Sequence, residues 1–410
     1  MTTTFKHISI SDWRQYERIS IDFDERMTIL TGANGAGKTT ILNLLSRHFG
    51  WSIDFIGTLS ITKRGAWKYF SGRGLDQFSR DENTHQEIGV LKYSNESEAT
   101  LSVPPQVGEN YAVNMSQQQS VDGIYITSHR PVYSYQRVDN IPTKVSATNQ
   151  LFDEYVSNLR QFYNPNSRIQ SPSFRIKSAL ISLATFGYGN QAVEANVEAR
   201  NTFESFEEVL RKILPPDLEF EKIQIRLPDV ILHCKNNDFS IDAASGGVSA
   251  LIDLAWQIHM KALTAEKFVV VLDEPENHLH PRLQRTVLPN LIKAFPQAQF
   301  IAATHNPFVV TSVPESSVVV LDFFDGKVSS TNMSAFDRAG SANQILSDVL
   351  GVPFPMPLWV EDHVHRIVKS LENAELTAEK LAETKQQLSE LGLGEMFPEV
   401  IDRLIPGKEG

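Results

Sequence analysis

Three short stretches carry residue types that do chemistry on phosphates. The first is Gly32-Ala33-Asn34-Gly35-Ala36-Gly37-Lys38-Thr39, followed by Thr40, a full match to G-x-x-x-x-G-K-[ST]. Its glycines let successive backbone N–H groups turn inward onto phosphate oxygens. Lys38 would neutralise the β- and γ-phosphates, and Thr39 would ligate Mg²⁺. The second is "VVVLDEPE", an apolar run that delivers Asp273 and Glu274 to a strand end. Asp273 would hold Mg²⁺, directly or through water, and Glu274 would polarise an attacking water as general base. The third is Ala244-Ser245-Gly246-Gly247, ahead of an apolar helix and of the acidic pair. A serine and two glycines at a helix N-terminus make another anion site. Because Lys38 already serves the γ-phosphate within the subunit, this second site suggests a partner's nucleotide.

These residues need elements to position them. "FKHISI", "RISIDF" and "MTILTG" read as strands, and "ILNLLSRHFG" places apolar residues at helical spacing with Gly50 as a stop. The glycine-rich loop therefore lies between a strand and a helix. "KFVVVLDEPE" and "AQFIAATHNP" read as buried strands, and "SVVVLDFFDGKVSS" as a hairpin around Asp325-Gly326. "NTFESFEEVLRKIL" reads as a helix capped by Asn201 or Thr202 and ended by the prolines at 215 and 216. "SGGVSALIDLAWQIHMKAL" reads as a helix that starts after its two glycines, and "QRTVLPNLIKAF" as helical except for Pro289. The pattern predicts an α/β P-loop NTPase. Its expected parts are an N-terminal lobe with a β-rich subdomain over 1–145, a helical insertion over 146–213, a C-terminal ATPase lobe over 214–335 and a helical tail over 336–410.

Taken in order, the phosphate loop (Walker A), the S-G-G signature, "LDEPENHLHP" (Walker B running into a histidine-rich loop) and "ATHNP" resemble the ABC-type ATPase heads of the SMC and RecF group. Within that group they resemble the stand-alone AAA-family ATPases of bacterial anti-phage systems, the OLD and PtuA-like proteins. The resemblance covers mainly 5–50 and 240–312. It implies ATP as cofactor with Mg²⁺, and a homodimer or higher homo-oligomer in which one subunit's Ser245, Gly246 and Gly247 cover the other's nucleotide. It also implies that His305 contacts the γ-phosphate and acts with Glu274 and Lys38 in catalysis. Asn277 to His280 would form a D-loop along the dimer seam, and Arg14 matches a position where relatives place a basic residue near the nucleotide. Gly32, Asn34, Gly35, Ala36, Gly37, Lys38, Thr39 and Thr40 are the nucleotide-binding candidates, and Thr39 and Asp273 the metal candidates. The signature lacks the leading Leu and following Gln of transporter ATPases. No single glutamine marks a Q-loop: Gln136 and Gln117-Gln118-Gln119 are candidates, and His129 and Arg130 after a strand are an alternative.

Composition narrows the partners. The chain has 410 residues, net charge −11 and pI near 5.5, which disfavours a protein that coats nucleic acid with its whole surface. "ITKRGAWKYFSGRG" interleaves Lys63, Arg64, Lys68 and Arg73 with Trp67, Tyr69 and Phe70, the texture of a nucleic-acid surface and equally of an amphipathic β-lobe edge. "RIQSPSFRIK" is a weaker basic stretch. His278/His280 and His363/His365 have metal-ligand spacing but no third ligand. One cysteine, Cys234, excludes an intrachain disulfide, and no apolar run approaches a membrane span. Together with an N-terminus lacking signal-peptide features, these point to a cytoplasmic protein. The function expected is an ATPase switch over a separate effector protein, a nuclease or toxin, in anti-phage defence. The alternatives are a RecF-like ATP-dependent DNA-binding repair protein and, further off, a transporter ATPase subunit.

Overall fold

Met27–Gly32 (β3) is buried at every position, as a strand must be when elements cover both faces of its sheet. Phe268–Asp273 (β8) and Ala298–Ala303 (β9) are buried end to end in the same way. These three strands form the centre of the chain's computed structural model, which describes residues 2–61, 65–71, 85–104, 106–130, 135–141, 154–157, 171–333 and 378–390, with isolated positions at 345, 346, 366, 369 and 394. The other strands of the main sheet are Phe5–Ser11 (β1), Tyr16–Asp22 (β2), Gln86–Tyr93 (β4), Glu98–Val103 (β5), Asn114–Ser116 (β6), Gly123–Ile126 (β7), Ser317–Phe324 (β10) and Lys327–Asn332 (β11).

The eleven strands run in the order β6-β5-β4-β1-β2-β11-β10-β3-β9-β8-β7. From β10 to β7 every neighbouring pair is parallel. From β6 to β2 every pair is antiparallel. Register aligns the ends of the parallel strands: Ile126 faces Leu272, Asp273 faces Ala303, and Ala303 faces Leu30. The loops after β3, β7, β8 and β9 thus leave one edge of the sheet, where open α/β sheets place their ligands. The β10–β11 hairpin turns at Asp325 and Gly326, both at positive φ, the backbone that a two-residue hairpin favours.

Lys38–Ser46 (α1) packs Ile41, Leu42, Leu44 and Leu45 into the core against β3, β8 and β9. Pro172–Tyr188 (α2) begins where Ser171 caps the Phe174 N–H with proline at the first helical position. The basic stretch read from "RIQSPSFRIK" is therefore in part a helix start, and Lys177 is buried rather than displayed. It donates to Asp229 at 2.7 Å, to Asp242 at 2.6 Å and to the Gln136 carbonyl at 3.1 Å. Val197–Ile213 (α3) is capped by Asn196, which accepts from the Ala199 N–H and lies ahead of both expected caps, Asn201 and Thr202. Gly246–Ala262 (α4) includes both glycines in its first turn, and Ser245 is its cap. In Val287–Ala294 (α5), Pro289 lies in the first turn, where a missing N–H costs nothing.

The chain divides into a unit spanning Met1–Ile345 and a second spanning Leu346–Gly410. In the second, the helix Ala378–Glu390 buries Thr384 and Leu388, and Leu381 is half-buried on the same face. His363 and His365 lie outside the described residues, as do Lys63, Arg64 and Arg73. Among the described residues no helix is long and apolar enough to cross a membrane, and no group of three or more His, Cys, Asp or Glu has metal-site geometry. His278 and His280 are both exposed, and His280 caps the short helix Pro281–Gln284.

Candidate functional site

The phosphate loop follows β3 directly. Gly32 and Gly37 have φ of 129° and 95°. A Cβ at Gly32 would run into the carbonyl oxygen of Leu321, and one at Gly37 into Gln15 Nε2 and the Tyr16 hydroxyl. Both positions therefore demand glycine for backbone and for space. Gly35, at φ 83°, faces open space and needs glycine for its backbone alone. Ala36 is buried, whereas Asn34, Gly35 and Thr39 are exposed. The loop is held from beneath by Tyr16, whose hydroxyl donates to the Gly37 carbonyl at 2.6 Å. Lys38 donates to the carbonyls of Gly32 at 2.8 Å and Ala33 at 3.1 Å. Burial lowers the Lys38 pKa, while the nearby Glu274, Asp273 and Glu276 pull it back up.

β8 brings Asp273 against this loop. The Thr39 hydroxyl donates to the Asp273 carboxylate at 3.1 and 3.3 Å from its two oxygens. Asp273 is only 5% exposed, and burial pushes its carboxyl up to about 6. A hydroxyl and a buried carboxylate side by side form a hard-oxygen donor pair whose charge a divalent cation would offset.

Glu274, the next residue, has φ 45°, a conformation that costs energy in a non-glycine residue and clusters at functional sites. Its backbone N–H donates to Ala303 O at 2.9 Å, and its carbonyl accepts from Arg130 Nη2 at 3.2 Å. Its carboxylate meets His305 Nδ1 at 2.9 Å and accepts from Asn277 Nδ2 at 2.9 Å. Asn277 also donates to the Ser128 carbonyl at 3.1 Å, joining the loop after β7 to the loop after β8. Beneath His305, the buried Glu276 accepts from the Thr304 hydroxyl through one oxygen, while its other oxygen has no hydrogen-bond partner among the described residues. Burial raises the Glu276 pKa.

Lys38, Thr39, Asp273, Glu274 and His305 thus converge at one sheet edge. Arg14 lies on the β1–β2 connection, half-buried, with its guanidinium over the rings of Trp13 and Phe55 at 5.9 and 5.6 Å. Its neighbours Gln15 and Tyr16 are the ones that touch Gly37. Ser245, Gly246 and Gly247 stand apart from this convergence. Ser245 and Gly246 are exposed at the start of α4, and nothing occupies the space where a Gly246 Cβ would point. Gly247 borders the His278 carbonyl and Leu279, so the expected signature and D-loop are neighbours. Of the Q-loop candidates, Gln136 binds Ser171 and Lys177, and the Gln119 N–H donates to the Tyr93 hydroxyl, while Arg130 reaches the backbone of Glu274. Sequence reading passed over Tyr16, Gln15 and the Asn277–Glu274 bond. Each depends on strands that meet only in the fold, and no local pattern marks them.

Known proteins bear on this arrangement. The "Retron Vc95 probable ATPase" of Vibrio cholerae is 21% identical over 383 residues, covering 78% of this chain and 74% of that protein. The "Septu protein PtuA" of Bacillus thuringiensis is 21% identical over 402 residues, covering 93% and 92%. The chain spans only 40% of the longer Septu protein PtuA of Bacillus mycoides, at 23% identity and 77% of this chain. The "SMC head domain from Thermotoga maritima" overlaps loosely, with TM-score 0.43 at 16% identity, over 82% of this chain and 100% of that one. Residues 5–47 match the "P-loop containing region of AAA domain". The resemblance to ATPases of the PtuA kind is borne out, as is the α/β P-loop fold. The family model "AAA domain, putative AbiEii toxin, Type IV TA system" matches residues 27–311, the span that holds the phosphate loop, the acidic pair and His305, and the chain belongs to that family.

Proposed function

We propose that this chain binds ATP with Mg²⁺ between two copies of itself, hydrolyses it, and through that cycle governs a separate effector protein in anti-phage defence. The observation that carries this is the split arrangement. Lys38, Thr39, Asp273, Glu274 and His305 meet at one strand edge, while Ser245 and Gly246 stand exposed on the first turn of α4. In this reading Gly32 to Thr40 cradle the phosphates, with Lys38 on the terminal ones. Thr39 and Asp273 hold Mg²⁺, which neutralises developing charge on the phosphates when bound. Glu274 takes the proton of the attacking water. His305, whose Nδ1 lies 2.9 Å from the Glu274 carboxylate, orients that carboxylate and meets the γ-phosphate. Ser245 to Gly247 of the second copy close the site with a helix N-terminus, which favours an anion. Arg14 would stand beside the loop through its neighbours Gln15 and Tyr16. The defence setting is taken from the likeness to a retron probable ATPase and to Septu proteins. The net charge of −11 weighs against a RecF-like DNA clamp as the main role.

Glu274→Gln is the test. The variant should bind ATP as the native chain does, hydrolyse it at least about 100-fold more slowly, and accumulate as a dimer in ATP and Mg²⁺ by light scattering. Expressed with its native gene neighbours, it should change phage plaque counts relative to the native chain. Unchanged turnover would remove Glu274 from its role, and a monomer under trapping conditions would remove the sandwich.

A further inference from the structure

His305 stands between two residues that are both anchored to the segment after β8. Thr304, before it, is buried, and its hydroxyl donates to Glu276 while accepting from the Asn306 N–H at 2.9 Å. Asn306, after it, accepts from the Phe308 N–H at 2.9 Å through Oδ1 and so caps the short helix Pro307–Val310. That bond fixes the amide, because Nδ2 is left as the donor. Nδ2 reaches Gln284 Oε1 at 2.8 Å. The Gln284 amide is fixed in turn, with Nε2 donating to the Leu279 carbonyl at 2.9 Å. The Leu279 N–H donates to the Glu276 carbonyl at 2.9 Å, which closes a ring through Glu276, Thr304, Asn306, Gln284 and Leu279. Its Leu279 end borders Gly247. Among the described residues the His305 side chain has no hydrogen bond or ion pair besides Glu274. Where the exposed imidazole points therefore depends on how Thr304 and Asn306 hold the backbone between them.

We propose that Gln284 and Asn306 form a polar latch that sets His305 against Glu274, which makes both of them positioning residues for ATP hydrolysis. The inference rests on the reading of Glu274 as general base and of His305 as the residue that meets the γ-phosphate. Two anchors hold the histidine loop, and they differ in kind. The Thr304–Glu276 bond is buried and ties the loop to the acidic segment. The Asn306–Gln284 bond is half-buried and ties the loop to the carbonyl of Leu279. Cutting the second leaves the first in place, so the loop keeps its fold and loses the fixed position of its far side. A small displacement of a catalytic group is costly to rate while binding is little changed. Neither Gln284 nor Asn306 is placed against the reacting atoms, so both act through His305.

The experiment is steady-state ATP turnover in Gln284 variants, with and without His305. Gln284→Met removes both amide bonds and should lower kcat about 10-fold, leaving KM for ATP within about twofold. Gln284→Glu keeps an oxygen that accepts from Asn306 Nδ2 and should stay within about threefold of the native kcat. If Gln284→Met does not fold, Asn306→Asp takes its place. It retains the oxygen that caps Phe308, but the single Gln284 amide cannot then serve both the carboxylate and the Leu279 carbonyl, so kcat should fall there too. In a His305→Gln background, adding Gln284→Met should change the residual rate less than about twofold, because the latch acts only through His305. Normal kcat in Gln284→Met, equal losses in Gln284→Glu and Gln284→Met, or a loss that multiplies in the His305→Gln background would overturn the latch. His305→Gln by itself separates the two failures. Full turnover there defeats the reading of the site, whereas lost turnover there with normal Gln284→Met defeats the latch alone.

Discussion

Gly37 shows how closely the phosphate loop is fitted to its floor. Its φ of 95° strains any L side chain, and an added Cβ would meet Gln15 and Tyr16. Gly37→Ala should therefore displace the loop from the Tyr16 hydroxyl and abolish nucleotide binding, with a fall of about 1–3 kcal/mol in stability. Isothermal titration with an ATP analogue and urea unfolding would check the two parts, and tight binding in the variant would contradict the fit. At this scale what was legible in the sequence was the runs of consecutive residues. Gly32 to Thr40 and Asp273-Glu274 are local patterns with fixed consequences. Tyr16, Asn277 and Arg130 were not legible as partners, because each acquires its role from a strand or loop distant in sequence. Asn277 was legible only as part of a loop, and Arg130 only as one of several occupants of a position.

Among the elements, α4 is tied down at three points along its length. Ser245 caps it, Asp253 receives Tyr155, and the turn just before it carries Asp242, which pairs with Lys177 of α2. The Lys177 side chain is fully buried with Asp229 and Asp242 as its two carboxylate partners. Lys177→Met should cost about 3–5 kcal/mol, since it leaves the Asp242 carboxylate buried and uncompensated. Urea midpoints would measure this, and a change below about 1 kcal/mol would mean that the pair is not structural glue. Buried strands and amphipathic helices followed from period and composition: β3, β8, β9 and the β10–β11 hairpin stand where apolar runs and Asp-Gly placed them. The start of α3 and the whole of α2 were harder to read. Asn196 competes with Asn201 as a cap, and the lysine and arginine of "PSFRIK" resemble a surface until Asp229 and Asp242 arrive from segments distant in sequence. The order β10-β3-β9 was not readable at all, because no local signal says which buried strands become neighbours.

For the molecule as a whole, pH offers a probe of its packing. His259 on α4 is buried against Phe206 and shares its Nε2 with the Thr202 carbonyl. Burial lowers its pKa from the ordinary 6.5 to about 4, so the fold holds it neutral. Above 6.5 neither folded nor unfolded chain protonates it, and its contribution to stability is complete. Below 6.5 the unfolded chain takes a proton that the folded one refuses, and the contribution is lost as pH falls toward 4. Relative to His259→Gln, the native chain should lose about 1.4 kcal/mol per pH unit across that window. Parallel unfolding curves at pH 7 and 5 would test it, and a pH-independent difference would show that His259 is not held neutral. The strand order has a further consequence, for biosynthesis. β3, which launches the phosphate loop, is flanked by β9 and β10, and so waits for residues 298–303 and 317–324. On the ribosome the loop is made well before either flanking strand. Such long-range pairing is slow to form. Through that interval a nascent chain carries the motif without the strands that flank it, and these arrive together with the acidic strand and the histidine loop.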